Sequence, residues 1–373
     1  MRGWKKRKEY TVTFMIGNGF DLNLGLPTSY REFYAYYTSP ENCQDDSLIV
    51  QNLKSNITEN LTNWSDLETA MGEFSRELSD FEECNLCFKD ITLNLEHYLH
   101  EKCNLPEKTD ISRVREISKG LPTEISEAFR VNRYFHSMID HANRQQHYTN
   151  IGVINFNFTD HVNNLVCSYF DQFDHKFLGK KPKSIKSYSI RIGNDRYHTQ
   201  IHGKMNRSPI IGVDNVSQLA IYREGRISRE EAELFTKMKL NVHADRYWNT
   251  NFCMEQLRKS DIIFIYGMSI GETDKIWWDT VIKCLQTPKV NLVIDDFCPD
   301  DVYSMYGSRQ CYEDAQFQKY RLDHRKEILK RLSPENNLSE SVTKRIHIIP
   351  NSDIFSYMPY YLQGRLPKKN EKV

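Results

Sequence analysis

The stretch FMIGNGFDLNLGLPTSYREF, residues 14–33, is where this chain declares its fold. An apolar run meets two glycines one residue apart, then an aspartate, then a segment opened by Pro27 and Thr28. That order describes a buried strand turning tightly into a helix. Gly17 and Gly19 let the backbone turn and approach a ligand without a Cβ in the way. Exposed N–H groups of Gly17, Asn18, Gly19 and Phe20, beside a helix N-terminus, would suit an anion such as a nucleotide phosphate. The third glycine of G-x-G-x-x-G is not in place, the next being Gly25, so a plain turn and a phosphate loop both stand. Asp21 would repel a phosphate; it suits a cap on local N–H groups, a bond to a ribose hydroxyl, or an Asx-turn. Pro27 starts the next helix, with Thr28, Ser29 or both as its cap.

Four further apolar runs share the character of this first strand (11–16): IGVINF (151–156), DIIFIYG (261–267), VNLVID (290–295) and RIHII (345–349). Continuous apolar runs suit strands buried on both faces of a parallel sheet. Helical patterns alternate with them, in SYREFYAYYT, WSDLETAMGEFSRELSDF, PTEISEAFRVNRYFHSMIDHANRQ, REEAELFTKM and DKIWWDTVIKCLQ. The expected fold is therefore α/β, a doubly wound and mainly parallel sheet. More than a hundred mostly helical residues separate the first two strands, which predicts a nucleotide-binding core over 1–34 and 149–365 and a helical insertion subdomain over 35–148. Residues 170–200 read as basic loop with a hairpin ending in HTQIHG, and 305–340 as a charged helix.

Ligands of open α/β sheets bind at the carboxyl ends of the strands. Two more motifs fall there, and a third, QIHG, ends the expected hairpin. NFNFTD places Asn155, Asn157 and Thr159 on one wall, with Thr159 also suited to cap the segment after it. QIHG offers His202, a side chain able to trade protons near neutrality. YGMSIGETD repeats the logic of the opening, with Gly267 and Ser269 facing a second phosphate or ribose and Asp274 capping the next helix. Trp277 and Trp278 read most simply as packing.

Lysines and arginines number 50, as do aspartates and glutamates, so no global field favours a polyanion, and nucleic acid is not the expected partner. The basic ends MRGWKKRK and PKKNEKV read as solvated termini. No apolar run is long enough to span a bilayer and no signal-peptide pattern is present, so no membrane partner and a cytoplasmic location are expected. Nine cysteines without framework spacing fit reduced thiols. Cys84 and Cys87 form a C-x-x-C with no matching half, and helix-borne burial is preferred to a metal site; no metal is expected.

Taken in order, GNGFD with GLPTSY, WSDLE (Trp64, Asp66, Leu67, Glu68), NFNFT, IHG and YGMSIGETD resemble the pattern of the bacterial abortive-infection AbiH family, with Phe158 in place of a tyrosine. That family is in turn distantly similar to the sirtuin-like, Rossmann-like NAD-binding domains of antiviral systems. The resemblance implies an anti-phage effector whose ligand is NAD, bound and cleaved at its N-glycosidic bond to release nicotinamide. On it, GNG stands for the phosphate loop, Asn157 for the asparagine beside the nicotinamide ribose, His202 for the general base, and GMS for the adenosine-side loop. Asn18 replaces a small alanine and Thr28 an aspartate, and the paired C-x-x-C module of the deacylases is missing, which disfavours protein deacylation. The alternative is a nucleotide-binding sensor or toxin partner that does not cleave its ligand. A phage-derived trigger and a homo-oligomeric form are further expectations, with the helical subdomain as the element that keeps the effector quiet.

Overall fold

The computed structural model of the chain describes residues 9–42, 47–104, 148–162, 190–192, 199–202, 209–243, 247–297, 315–335, 337–350 and 355. The five apolar runs are all strands. β1 (Glu9–Ile16), β2 (Tyr148–Asn155), β3 (Ile190–Ile192), β4 (Thr199–Gln200), β5 (Ile262–Tyr266), β6 (Asn291–Asp296) and β7 (Ile346–Pro350) form one sheet in the order β3-β2-β1-β5-β6-β7, with β4 also on β2. Every pairing is parallel. Among the described residues the hairpin expected to end in HTQIHG is not formed: β3 and β4 each run parallel to β2, opposite Thr149–Ile151 and opposite Ile154 and Asn155 respectively. They share one edge of β2, and the short extent of each explains why neither carries a strand-length apolar run.

The central register fixes where the motifs meet. Ile16 of β1 stands level with Asn155 of β2 and Tyr266 of β5. The next residues along each strand, Gly17, Phe156 and Gly267, therefore emerge together at the carboxyl edge. Beneath that edge one sheet face (Met15, Ile154, Ile263, Ile265, Leu292, Ile294) packs on apolar side chains of flanking helices, among them Leu257, Trp277, Trp278, Val281 and Leu332. Phe14, Phe264 and Tyr266 on the other side meet Phe20 and Phe355 through tilted and edge-on ring contacts.

A second core is helical. It joins α2 (Tyr30–Tyr37), α3 (Leu48–Glu59), α4 (Leu67–Phe74) and α5 (Phe81–Lys102), which come after the short α1 (Gly19–Asn23). Phe33, Tyr37, Leu53, Ile57, Leu67, Met71, Ile91 and Leu95 are buried in it. Ile211, Val213, Ile221, Ala232 and Phe235 belong to the same cluster, so this layer draws on the chain after β4 as well as on the segment before β2. Cys84 and Cys87 are buried there on α5, and burial, reinforced by Cys87, pushes the Cys84 thiol up to about 12. That favours the packed thiol over the thiolate a metal needs.

Two helical patterns are broken. WSDLETAMGEFSRELSDF divides because Asp66 caps α4 and Asp80 caps α5, each accepting a backbone N–H three residues on at 3.0 Å. REEAELFTKM divides into α7 (Arg229–Glu233) and α8 (Lys237–His243), after α6 (Ala220–Arg223). Val213 interrupts it, donating its N–H to Phe235 O at 3.0 Å and accepting from Lys237 N at 2.9 Å. Beyond lie α9 (Tyr247–Lys259), α10 (Lys275–Leu285), α11 (Ala315–Leu332) and α12 (Glu340–Thr343), α11 being the charged helix expected over 305–340. The helix expected in PTEISEAFRVNRYFHSMIDHANRQ, the whole of 163–189 and the basic ends lie outside the described residues.

The glycine loops after β1 and β5 touch. Gly267 has φ +61°, and a Cβ there would lie 2.7 Å from Gly19 Cα and 2.8 Å from Phe20 N. An added methyl would meet backbone, which cannot step aside as a side chain can. Gly267→Ala is expected to destabilise the chain by about 2 kcal/mol or more, from the left-handed strain and the overlap together. A urea midpoint equal to that of the parent would refute this account of the junction.

Candidate functional site

At the carboxyl edge lies a cleft partly open to solvent. Gly17 and Asn18 reach it from β1, Asn157 from β2, His202 from β4, and Gly267 and Ser269 from β5. Thr28 and Asp274 complete the expected residues that line it. The remaining ones stand behind its wall. Phe20 is fully buried in the aromatic core. Pro27 turns its carbonyl to the Tyr98 hydroxyl at 2.6 Å. Asn155 is a buried brace, its Oδ1 accepting from Asn157 N at 2.9 Å and its Nδ2 donating to Thr159 O at 3.1 Å.

Three of the four N–H donors expected to form a phosphate loop at GNGF are engaged within the chain. Gly17 N donates to Tyr266 O at 2.9 Å, Gly19 N to Gly267 O at 2.8 Å, and Phe20 N to Gly17 O at 3.0 Å. These donors are engaged in tying two loops together, so the glycines serve close approach of backbone to backbone. Asn18 fastens the same loop to the next, donating from Nδ2 to Thr28 O at 2.8 Å. Helix α2 is capped by Ser29, which accepts from Glu32 N while Glu32 accepts from Ser29 N. Thr28 is left at the cleft.

Asp21 neither caps a helix nor lines the cleft. It is buried and accepts the Thr159 hydroxyl proton on Oδ2 at 2.6 Å, linking α1 to the loop after β2. Burial pushes its carboxyl up to about 7, against the opposing pull of the Thr159 hydroxyl.

Asp274, expected as a helix cap, makes no side-chain cap bond and instead belongs to a buried charge network. Its Oδ1 lies 3.1 Å from His202 Nε2 and 2.9 Å from Lys237 Nζ. Lys237 also donates to Thr273 O at 2.7 Å and to Glu68 Oε2 at 2.7 Å. Three acceptors use all three ammonium protons. The 3.4 Å approach of Lys237 Nζ to His202 Nε2 therefore needs no hydrogen bond, and Nε2 is free to carry the proton it gives Asp274. In that tautomer Nδ1 is the basic nitrogen of the ring. Phe156 and Phe158 hold the ring from two sides, with centroids 5.7 and 5.8 Å away.

The charges tune one another. Burial works against ionisation of Asp274, but Lys237 and His202 outweigh it and hold its carboxyl below the usual range. Burial likewise works against the Lys237 ammonium, and Asp274, Glu68 and Asp214 outweigh it to keep the cation. At Glu68 burial wins and raises the carboxyl to about 7, although Lys237 and His202 oppose it. Asp214 nearby is raised to about 6 by burial, with Lys237 opposing. Among the described residues no group of three or more His, Cys, Asp or Glu is placed to hold a metal ion.

Sequence reasoning assigned no role to Asp66, Glu68 or Lys237. The first two stood in view in WSDLE, but which acid of a helix start turns inward depends on packing. Lys237 gave no signal, since its inward direction depends on the Val213 bridge that breaks the helix. Trp277 and Trp278 pack as expected: Trp277 meets Phe156 edge-on at 5.1 Å, and Trp278 Nε1 donates to Gly271 O at 2.9 Å.

Two consequences can be measured. Lys237→Met would leave Asp274 and Glu68 without their shared cation, and is expected to cost about 3–5 kcal/mol, read from urea unfolding. Asp21 ionises near 3.8 when unfolded and near 7 when folded, so the folded chain holds this proton more tightly. Its contribution to stability is whole below about pH 4 and is lost as pH rises through about 7, a change on the order of 4 kcal/mol. Asp21→Asn keeps an acceptor for Thr159 and is expected to flatten the fall in stability between about pH 4 and about pH 7. An unchanged slope would reject the assignment.

No curated protein matches the chain. A family model described as Bacteriophage abortive infection AbiH matches residues 13–296, from β1 to the end of β6, and takes in every residue of the cleft. With well over half its length inside that match, this chain belongs to the AbiH family of bacteriophage abortive infection.

Proposed function

We propose that the chain is an abortive-infection effector that binds NAD in this cleft and hydrolyses its N-glycosidic bond. The observation that carries the reading is the His202–Asp274 pair, with Nε2 3.1 Å from Oδ1, in a cleft at the carboxyl edge of a parallel sheet. We read the sheet as Rossmann-like and doubly wound: strand order changes direction about β1, and such switch points are where nucleotides bind. The distant sirtuin-like resemblance supports the same choice of ligand.

The charges support this chemistry. Water attacks C1′ of the ribose as the C1′–N bond breaks, and nicotinamide departs with the bonding electrons, which neutralise its ring. His202 takes the water's proton on Nδ1, and Asp274 stabilises the imidazolium so formed. Positive charge develops on the ribose in the transition state. Asp66, Glu68 and Asp274 at the cleft, balanced by Lys237, make a wall that favours it. Asn157, buried at the same edge, orients the water or the ribose. With the N–H groups of Gly17, Gly19 and Phe20 engaged, the pyrophosphate is assigned to the side of the cleft at Gly267–Ser269. A cytoplasmic setting, a phage-derived trigger and restraint by the helical layer complete the proposal.

The test is nicotinamide release from NAD by the purified chain beside Asn157→Ala and His202→Ala. Loss of a positioned base is expected to lower the rate about 10²- to 10⁴-fold. NAD binding without release, unchanged on addition of phage lysate, would replace hydrolysis by the non-catalytic sensor.

A further inference from the structure

Building on that reading of the cleft, we infer that Glu68 and Thr28 are its sugar-recognition residues, taking the two neighbouring hydroxyls of the ribose whose C1′ reacts. Glu68 is buried with only 4 % of its surface exposed, and it lines the cleft from the start of α4. Its two oxygens are unequal. Oε2 accepts from Lys237 at 2.7 Å, whereas Oε1 is shielded from solvent and has no hydrogen-bond partner among the described residues. Thr28, on the loop before α2, lines the same cleft, and its Oγ1 is likewise buried without a partner there. Buried polar atoms are ordinarily satisfied, and leaving one bare is unfavourable. Two such atoms on one cleft mark what a ligand should bring.

Their chemistry narrows the class. A carboxylate oxygen beside a lysine already satisfied by three acceptors calls for a donor and repels a phosphate. A threonine hydroxyl both gives and takes. A vicinal diol meets both: one hydroxyl donates to Oε1, and its neighbour exchanges a hydrogen bond with Oγ1. The position fits the reacting sugar, because Glu68 shares Lys237 with the Asp274–His202 pair. The helical layer would thus hold the sugar while the sheet edge supplies the base.

The test is calorimetric binding of NAD and of its 2′-deoxy and 3′-deoxy nicotinamide-ribosyl forms to the full chain carrying His202→Ala, which preserves the ligand. In this parent, removing a hydroxyl is expected to weaken binding about tenfold or more, the size of a hydrogen bond to a charged group. Adding Glu68→Gln should shrink the penalty for one of the deoxy forms to about twofold. Should Glu68→Gln fail to fold, Thr28→Val, nearly isosteric, should do the same for the other hydroxyl. Deoxy penalties that persist in both variants would overturn this inference and leave NAD binding intact. Absence of NAD binding to the parent and to the wild-type chain would overturn the inference together with the reading it rests on.

Discussion

One buried ammonium organises the site. Lys237 Nζ bonds Glu68 of α4, the Thr273 carbonyl and Asp274 ahead of α10, so a single cation joins the helical layer to the carboxyl edge of the sheet. Two carboxylates could not face each other there without it, and a lysine could not be buried without them. Three acceptors on three protons is the geometry that makes such burial tolerable. The same arrangement fixes histidine chemistry: with Lys237 spent elsewhere, Asp274 receives the His202 Nε2 proton, and the ring's basic side is Nδ1. Stability of the interlayer joint and protonation of the candidate base are thus one problem with one solution.

The junction of Gly17–Gly19 with Gly267 solves a different constraint, the approach of two backbones at the end of adjacent strands. Its glycines were legible as a place where a Cβ is not wanted. The partner of the close approach was not, because G-x-G reads alike whether phosphate or peptide comes near. Here the peptide of the β5 loop comes near, through the Gly19 N–H to Gly267 O bond of 2.8 Å. The five main strands were legible for a firmer reason: a parallel sheet buried on both faces must be apolar almost throughout, and such runs stand out. β3 and β4 are three and two residues long and lean on β2 at its edge, which leaves too little sequence for a pattern.

Much of the cleft was implicit in the strands. Once the strands are parallel, Gly17, Asn157 and Gly267 must gather at one edge, whatever the intervening chain does, whereas His202 follows the two-residue β4, which no pattern announced. Parallel topology does not specify what descends onto that edge from the helical layer. Asp66, Glu68 and Lys237 come from turns whose direction depends on long-range events, such as the Val213 bridge that stops a helix at Glu233 and restarts it at Lys237. The sequence of each turn is compatible with an ordinary solvated charge.

The distribution of charge then argues for a division of labour across the cleft. Its helical wall carries Asp66 and Glu68, and Asp274 adjoins it; its sheet wall is built from Gly17, Gly267, Met268 and Ser269, which bear no charge. A dinucleotide has a polyanionic middle and, at nicotinamide, a cationic end. Repulsion alone would direct the first away from the acids and the second toward them. Among the described residues, none that lines this cleft lies beyond Asp274, and the family match ends at residue 296. The described residues past that point serve the scaffold: β7 extends the sheet beside β6, and Arg345 clamps the carbonyls of Leu285, Thr287 and Val290. The cleft is therefore contained in the segment that the family model matches, and the later strand and helices steady the sheet on which it rests.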